Sequence, residues 1–140
     1  MPKKLRTKKT AKETADRWFS RFIRIRDSNE FGICRCVTCG NPKPWKNIDC
    51  GHFQKRRHAS TRYDEKNCHA QCRKCNSFEG GKDFEYGVAI DRKYGDGTAE
   101  KLWNKAHQRS SPMKKFDYEM KAEEYREKAK QLAGEKGLEI

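Results

Sequence analysis

The chain has 140 residues, 34% hydrophobic and 38% charged, with 33 Lys and Arg against 20 Asp and Glu and a net charge of +13. So few apolar residues exclude a large single core and favour a small, stapled core with helical arms. The mean hydropathy of −1.23 and the lack of any run near the roughly 18 apolar residues of a membrane span argue against a membrane-spanning helix. No apolar stretch follows the basic start Met1-Pro2-Lys3-Lys4, so no secretory signal is read there and a soluble cytoplasmic protein is expected.

Residues 1–9 read as a disordered basic tail. A basic helix is expected over 10–30, with Thr10 as N-cap and Glu13 as its capping-box partner. Trp18, Phe19, Phe22, Ile23 and Ile25 make an apolar stripe for the core. Arg17, Arg21, Arg24 and Arg26 surround it and form either a solvated or a phosphate-contacting face.

The third segment, 31–84, opens with Gly32, Gly40, Pro42 and Pro44, which exclude long regular structure. It begins with a cysteine knuckle and a loop, with Trp45 as a candidate cover for the knuckle. Ile48 to Gln54 fits a short strand entering a turn, and the basic stretch Lys55–Arg62 fits a loop or hairpin. Tyr63 to Gln71 leads to a second knuckle, after which Asn76 to about Phe84 is expected to open a helix and complete a ββα unit. Gly80-Gly81 should break that helix.

Region 85–140 reads as helical. The pattern predicts a helix over 84–94 with Phe84, Val88 and Ile90 inward, ended by Gly95-Asp96-Gly97. It predicts another from Thr98 to His107 with Leu102 and Trp103 buried, broken by Ser110-Ser111-Pro112. The last runs from Lys115 to about Ala133, with Phe116, Tyr118, Met120, Ala122, Tyr125 and Ala129 as its apolar positions. The fold class is therefore α+β.

Seven cysteines, an odd number, argue against a disulfide framework. Cys36 and Cys39 form one knuckle, Cys72 and Cys75 the other, and together they can make a closed tetrathiolate site for a structural Zn²⁺. Such a clip would close a 32-residue insert that carries His52. Cys34, Cys50 and Cys68 are left over and read as small buried hydrophobes, although Cys34 could compete with Cys36 as a ligand.

The basic charge is concentrated. Segments 1–30 and 43–82 each hold ten basic and four acidic residues, so the last third is nearly neutral. That arrangement suits a polyanionic partner, with counterion release supplying affinity. Lys55, Arg56, Arg57, Arg62 and Lys82, with Arg21 and Arg24 on the first helix, are the candidate phosphate contacts.

Phosphodiester hydrolysis needs an activated water, a Lewis acid and a grip on the backbone. His52 can be the general base. Asn76 follows the last knuckle cysteine and could help hold Mg²⁺ or Mn²⁺, or simply cap a helix. Asp49 is the nearest carboxylate, although residues 49 and 52 face opposite sides of an ideal strand. Asn67 could clamp the loop that presents His52. His69 reads first as a structural histidine, then as a metal ligand or phosphate contact. His58 is at most a backbone contact, and His107 is given no function.

Cys50-Gly51-His52-Phe53-Gln54, the block Asn67-Cys68-His69-Ala70-Gln71-Cys72-Arg73-Lys74-Cys75-Asn76, and the preceding knuckle resemble the NinG (Rap) recombination proteins of lambdoid phages. Those belong to the wider HNH, or ββα-metal, nuclease group. The flanking helices are similar too, so the resemblance covers about residues 15–130. It implies structure-selective cutting of branched DNA, such as Holliday junctions and D-loops. Phage junction resolvases of the endonuclease VII type are similar in having a four-cysteine zinc, an Asp-His pair and an asparagine after the last cysteine. On that likeness His52 is the base, Asn76 a catalytic-metal ligand, and Cys36, Cys39, Cys72 and Cys75 the zinc ligands. Gly51 stands where the resolvase pattern has its metal-binding Asp, so Asp49 would have to substitute or His52 would touch the metal itself. Two equivalent strands at a junction would suit a homodimer. The rival readings are a non-catalytic zinc-stabilised nucleic-acid-binding module and a zinc-dependent protein adaptor.

Overall fold

The computed structural model describes residues 7–140. Their helices and two small antiparallel sheets make an α+β fold. Helix α1 spans Lys8–Arg26 and takes its N-cap from Thr7, whose hydroxyl accepts from the Thr10 amide, not from Thr10 itself. Lys8 and Lys9 of the expected tail are therefore helical, while residues 1–6 lie outside the described residues.

Ala11, Ala15, Phe19, Phe22, Ile23 and Ile25 are the buried face of α1. It packs against α5, Lys115–Lys136, whose Tyr118, Ala122, Tyr125, Ala129 and Ala133 recur at spacings of three and four. Small alanines on both helices let the backbones approach, and the aromatic rings interlock. Phe19 meets Tyr125 edge-on at 4.7 Å and Tyr63 at 5.3 Å. The Lys136 ammonium donates to the carbonyls of Ile25, Arg26 and Ser28, which closes the C-terminal end of α1.

Between these helices the chain makes two ribbons. β1 (Ile33–Arg35) pairs with β2 (Pro42–Pro44), and the first knuckle is the loop that joins them. The prolines lack an N–H, so β2 is an exposed edge. Trp45 turns away from the knuckle into the α1–α5 core and is not its cover; Arg24 donates to its carbonyl at 2.9 Å. β3 (Asp49–His52) pairs with β4 (Cys68–Gln71), with Asp49 opposite Gln71 and His52 opposite Cys68. A short helix α2 (Ala59–Arg62) sits in the connection. α1 pins β4 directly: Arg26 donates to the carbonyls of Glu65 and Cys68, each at 2.7 Å, and Asp27 accepts from the Ala70 amide at 2.8 Å. Arg26 is thus a structural arginine, contrary to a purely surface reading.

The helix expected from Asn76 does not form. A single wide turn covers Lys74–Phe78, and Gly80 and Gly81 then take φ of 66° and 93°. Both angles are left-handed, which glycine adopts without a Cβ clash. Helix α3 (Asp83–Tyr94) starts after them and α4 (Thr98–His107) follows. Their small core is Tyr86, Ile90 and Leu102 with Phe53 against it. Phe84, Val88 and Trp103 are exposed, contrary to expectation, and so are the apolar Phe116 and Met120. Phe84 and Val88 each lie two residues before the buried Tyr86 and Ile90, and Phe116 and Met120 two before Tyr118 and Ala122. Two residues on a helix turn the side chain to nearly the opposite face. No helix among the described residues is long and apolar enough to cross a membrane.

Candidate functional site

The two knuckles converge. The Sγ atoms of Cys36, Cys39, Cys72 and Cys75 all lie within 4.8 Å of one another, with Cys39 and Cys72 at 3.8 Å. A tetrahedral zinc with bonds of about 2.3 Å would set sulfurs about 3.8 Å apart, so the cluster fits a structural zinc. None of the four cysteines is in a disulfide. Burial pushes the Cys36 thiol up, but the Thr38 hydroxyl and the amides of Cys72, Cys39 and Thr38 outweigh it and draw it down to about 6. Burial pushes Cys75 up to about 12 and raises Cys39 as well. The fold alone thus favours the Cys36 thiolate and disfavours those of Cys39 and Cys75, which a bound cation would favour. Cys34 is not part of the cluster: its thiol is buried and donates to the Arg24 carbonyl.

The knuckles fix what lies beside them. The Val37 amide donates to the Ala70 carbonyl at 2.9 Å, docking the first knuckle on β4. The Asn76 amide donates to the Cys72 carbonyl at 2.9 Å. Its side chain then reaches Asp49 on β3, with Nδ2 donating to Oδ2 at 3.2 Å. Arg73 stands 3.9 Å from the other carboxylate oxygen. Rotating the amide by half a turn would put two hard oxygens side by side, the donor type that Mg²⁺ or Mn²⁺ takes.

His52 is held from the other side. Its Nε2 lies 3.0 Å from the Arg62 carbonyl, which can only accept, so the proton belongs on Nε2 and the lone pair on Nδ1. Burial is the main cause that lowers its pKa to about 4, with Arg56 and Arg62 adding to it, so the ring is neutral near pH 7. Phe19 packs against the ring with centroids 6.1 Å apart. Asn67 is fully buried and clamps the loop after His52: its Oδ1 accepts from the Gln54 amide at 2.7 Å, and its Nδ2 donates to the carbonyls of Gln54 and Thr61.

Asp49, Asn76 and His52 border one open cleft of 1120 Å³. Arg24, Lys43, Lys46, Lys55, Arg56, Arg73 and Lys74 line it against only two acidic residues, Asp16 and Asp49. Of the candidate phosphate contacts, Arg24, Lys55 and Arg56 are therefore in the cleft. Arg57 is exposed but outside its lining, and Arg21 stacks on Trp18 at 4.7 Å. Lys82 pairs with Glu79 at 2.9 Å. Arg62 is only 7% exposed and forks onto Asp16, with Nε to Oδ1 at 2.9 Å; it supports the cleft wall and cannot reach a phosphate from there. Asp16 also accepts from the Tyr63 hydroxyl at 2.7 Å.

Sequence reasoning overlooked Asp16, Lys43, Lys46, Arg73 and Lys74 at this cleft. Arg73 and Lys74 sit inside the second knuckle, a position that already advertised proximity to Asn76. His69 is a structural histidine: buried, it meets the hydroxyls of Tyr86 at 3.2 Å and Tyr94 at 2.8 Å. Tyr86 in turn donates to the Gly51 carbonyl at 2.7 Å, so α3 braces β3. At Gly51 a Cβ would meet the Gln71 side chain at 2.1 Å from Oε1 and 2.8 Å from Cβ. No carboxylate fits there, and Asp49 is the strand's acidic residue facing the cleft.

The chain matches the family model described as Bacteriophage Lambda NinG protein over residues 2–135. No curated protein and no solved structure matches it.

Proposed function

This chain belongs to the NinG family, and we propose that it is a metal-dependent endonuclease of the HNH type that cuts branched or distorted DNA during phage recombination. The observation that carries this reading is the state of His52: neutral, its Nε2 proton held by the Arg62 carbonyl, its Nδ1 left as the base at a basic cleft. A purely structural histidine would use both nitrogens, as His69 does.

In this mechanism Nδ1 of His52 takes a proton from the attacking water, and the Arg62 carbonyl stabilises the imidazolium that forms. Asn67 keeps the loop after His52 from moving away. Asp49 and Asn76 would hold Mg²⁺ or Mn²⁺, which when bound supplies Lewis-acid stabilisation of the phosphate and the leaving 3′-oxygen. Lys55, Arg56 and Arg73 hold neighbouring phosphates at the cleft rim. Cys36, Cys39, Cys72 and Cys75 would hold a structural zinc, and the Cys72 carbonyl positions Asn76 through the backbone.

The test is incubation of the purified protein with a labelled four-way junction and a matched linear duplex, with and without Mg²⁺ or Mn²⁺. We expect ion-dependent cleavage of the junction, lost in His52→Ala with junction affinity kept. Tight, salt-sensitive binding without cleavage in any ion would instead support a non-catalytic zinc-stabilised DNA-binding protein.

A further inference from the structure

A second group of metal-ligand side chains lies outside the four-cysteine cluster. The Sγ atoms of Cys50 and Cys68 and a ring nitrogen of His52 all lie within 4.8 Å of one another. The strand register accounts for this. Cys50 and His52 alternate onto one face of β3, and Cys68 stands directly opposite His52 on β4. Cys50 and His52 line the cleft, while Cys68 is fully buried beneath them. An ion arriving through the cleft would therefore meet two ligands at the surface and a third behind.

We propose that Cys50, His52 and Cys68 form a second, thiophilic metal site that takes Zn²⁺ and blocks the enzyme when filled. Two thiolates and an imidazole select a borderline-soft ion over Mg²⁺ or Mn²⁺, whereas Asp49 and Asn76 offer only hard oxygens. Three protein ligands with the fourth position facing solvent is a familiar zinc arrangement. Closure needs side-chain shifts of about 1 Å to bring the ligands to bonding distance. Binding releases the two thiol protons to solvent, and the two resulting thiolates balance the charge of the ion. The blocking role rests on the endonuclease reading: the ion holds the imidazole that would otherwise accept the water proton. The site itself does not depend on that reading.

The experiment is a Zn²⁺ titration of the full chain under reducing conditions, with bound metal counted after gel filtration. Co²⁺ replaces zinc in a parallel series to read sulfur-to-metal charge-transfer absorption. Wild type should bind two equivalents. Cys50→Ser should lose one, and Cys39→Ser should lose the other. Cys50→Ala and a thermal melt of each variant separate loss of a ligand from loss of the fold, since Cys50 is partly exposed. Junction cleavage in Mg²⁺ should fall by roughly 100-fold or more as the second equivalent fills, the scale of losing a general base. That ratio with and without zinc should be much smaller in Cys50→Ser. A single equivalent in wild type, kept in Cys50→Ser and lost in Cys39→Ser, would overturn the second site and leave the four-cysteine site standing. Full cleavage with two equivalents bound would overturn the blocking role. Two equivalents in a protein that cleaves nothing would keep the second site and overturn both the nuclease reading and the block.

Discussion

The α1–α5 pair and the knuckle region are held by different forces. The helix pair buries Phe19, Phe22, Ile23, Ile25, Tyr118 and Tyr125 in one continuous cluster with the back of β4. The knuckles bury only Cys36, Cys72 and Cys75 as a cluster of their own. Apolar burial suffices to order the first region; in the second, coordination has to replace it. The cleft lies on the boundary. His52 rests against Phe19 on the helix side, and Asn76 hangs from the second knuckle. The two halves of the proposed chemistry are thus set by separate stabilising devices.

The most severe way to break this comparison is to remove the metal. Apparent binding free energies of structural zinc are about 10–16 kcal/mol, so a strong chelator should strip hydrogen-exchange protection from 36–41 and 72–81 while α1 and α5 stay protected. Equal loss in both regions would mean one cooperative unit and end the contrast. Next in size is Phe19→Ala, which should cost about 3–5 kcal/mol in chemical denaturation while leaving zinc content at its wild-type value. His52→Ala should lower junction cleavage by about 10²–10⁴-fold with binding unchanged; single-turnover kinetics and a binding isotherm check the two halves of that statement.

Asp16→Asn sharpens the picture on a smaller scale. It leaves the Arg62 guanidinium buried without its counter-charge, at a cost of about 1.5–3 kcal/mol, read as a lower denaturation midpoint. Zinc binding at the four knuckle cysteines should not change, because Asp16 pairs with Arg56, Arg62 and Tyr63 and with no knuckle residue. The smallest effect expected is Arg56→Ala, which should reduce the salt slope of DNA binding by about one phosphate contact. Arg57→Ala, outside the cleft lining, should leave that slope unchanged.

Much of this was legible in the chain. The paired cysteines announced their own cluster because spacing alone brings two thiols of a knuckle together. Thr98–His107 appears with the bounds its flanking glycines and Ser110-Ser111-Pro112 imply. What stayed hidden depends on contacts far apart in sequence. Arg62 reads as one more cation in a basic stretch until Asp16, 46 residues away, claims it. Trp45 follows a knuckle but is drawn into the helix core. Cys50 and Cys68 look like ordinary buried residues until strand pairing sets them beside His52. Pattern alone turns Phe84 and Val88 of α3 inward and does not choose among the apolar positions of α5, because aromatic and apolar residues occur on both sides of these helices. Buried tyrosines and alanines, not the most hydrophobic residues, decide their orientation.

The tight contact between Gly51 and Gln71 constrains how this protein can evolve. A lineage that moved its acidic ligand next to the histidine would first need a smaller residue at 71, and that change would give up the bonds from Gln71 Nε2 to Thr38 and Gly81 beside the knuckles. The two positions would have to change together. Single-step libraries at 51 should return glycine alone, whereas paired libraries at 51 and 71 could recover an alternative carboxylate arrangement.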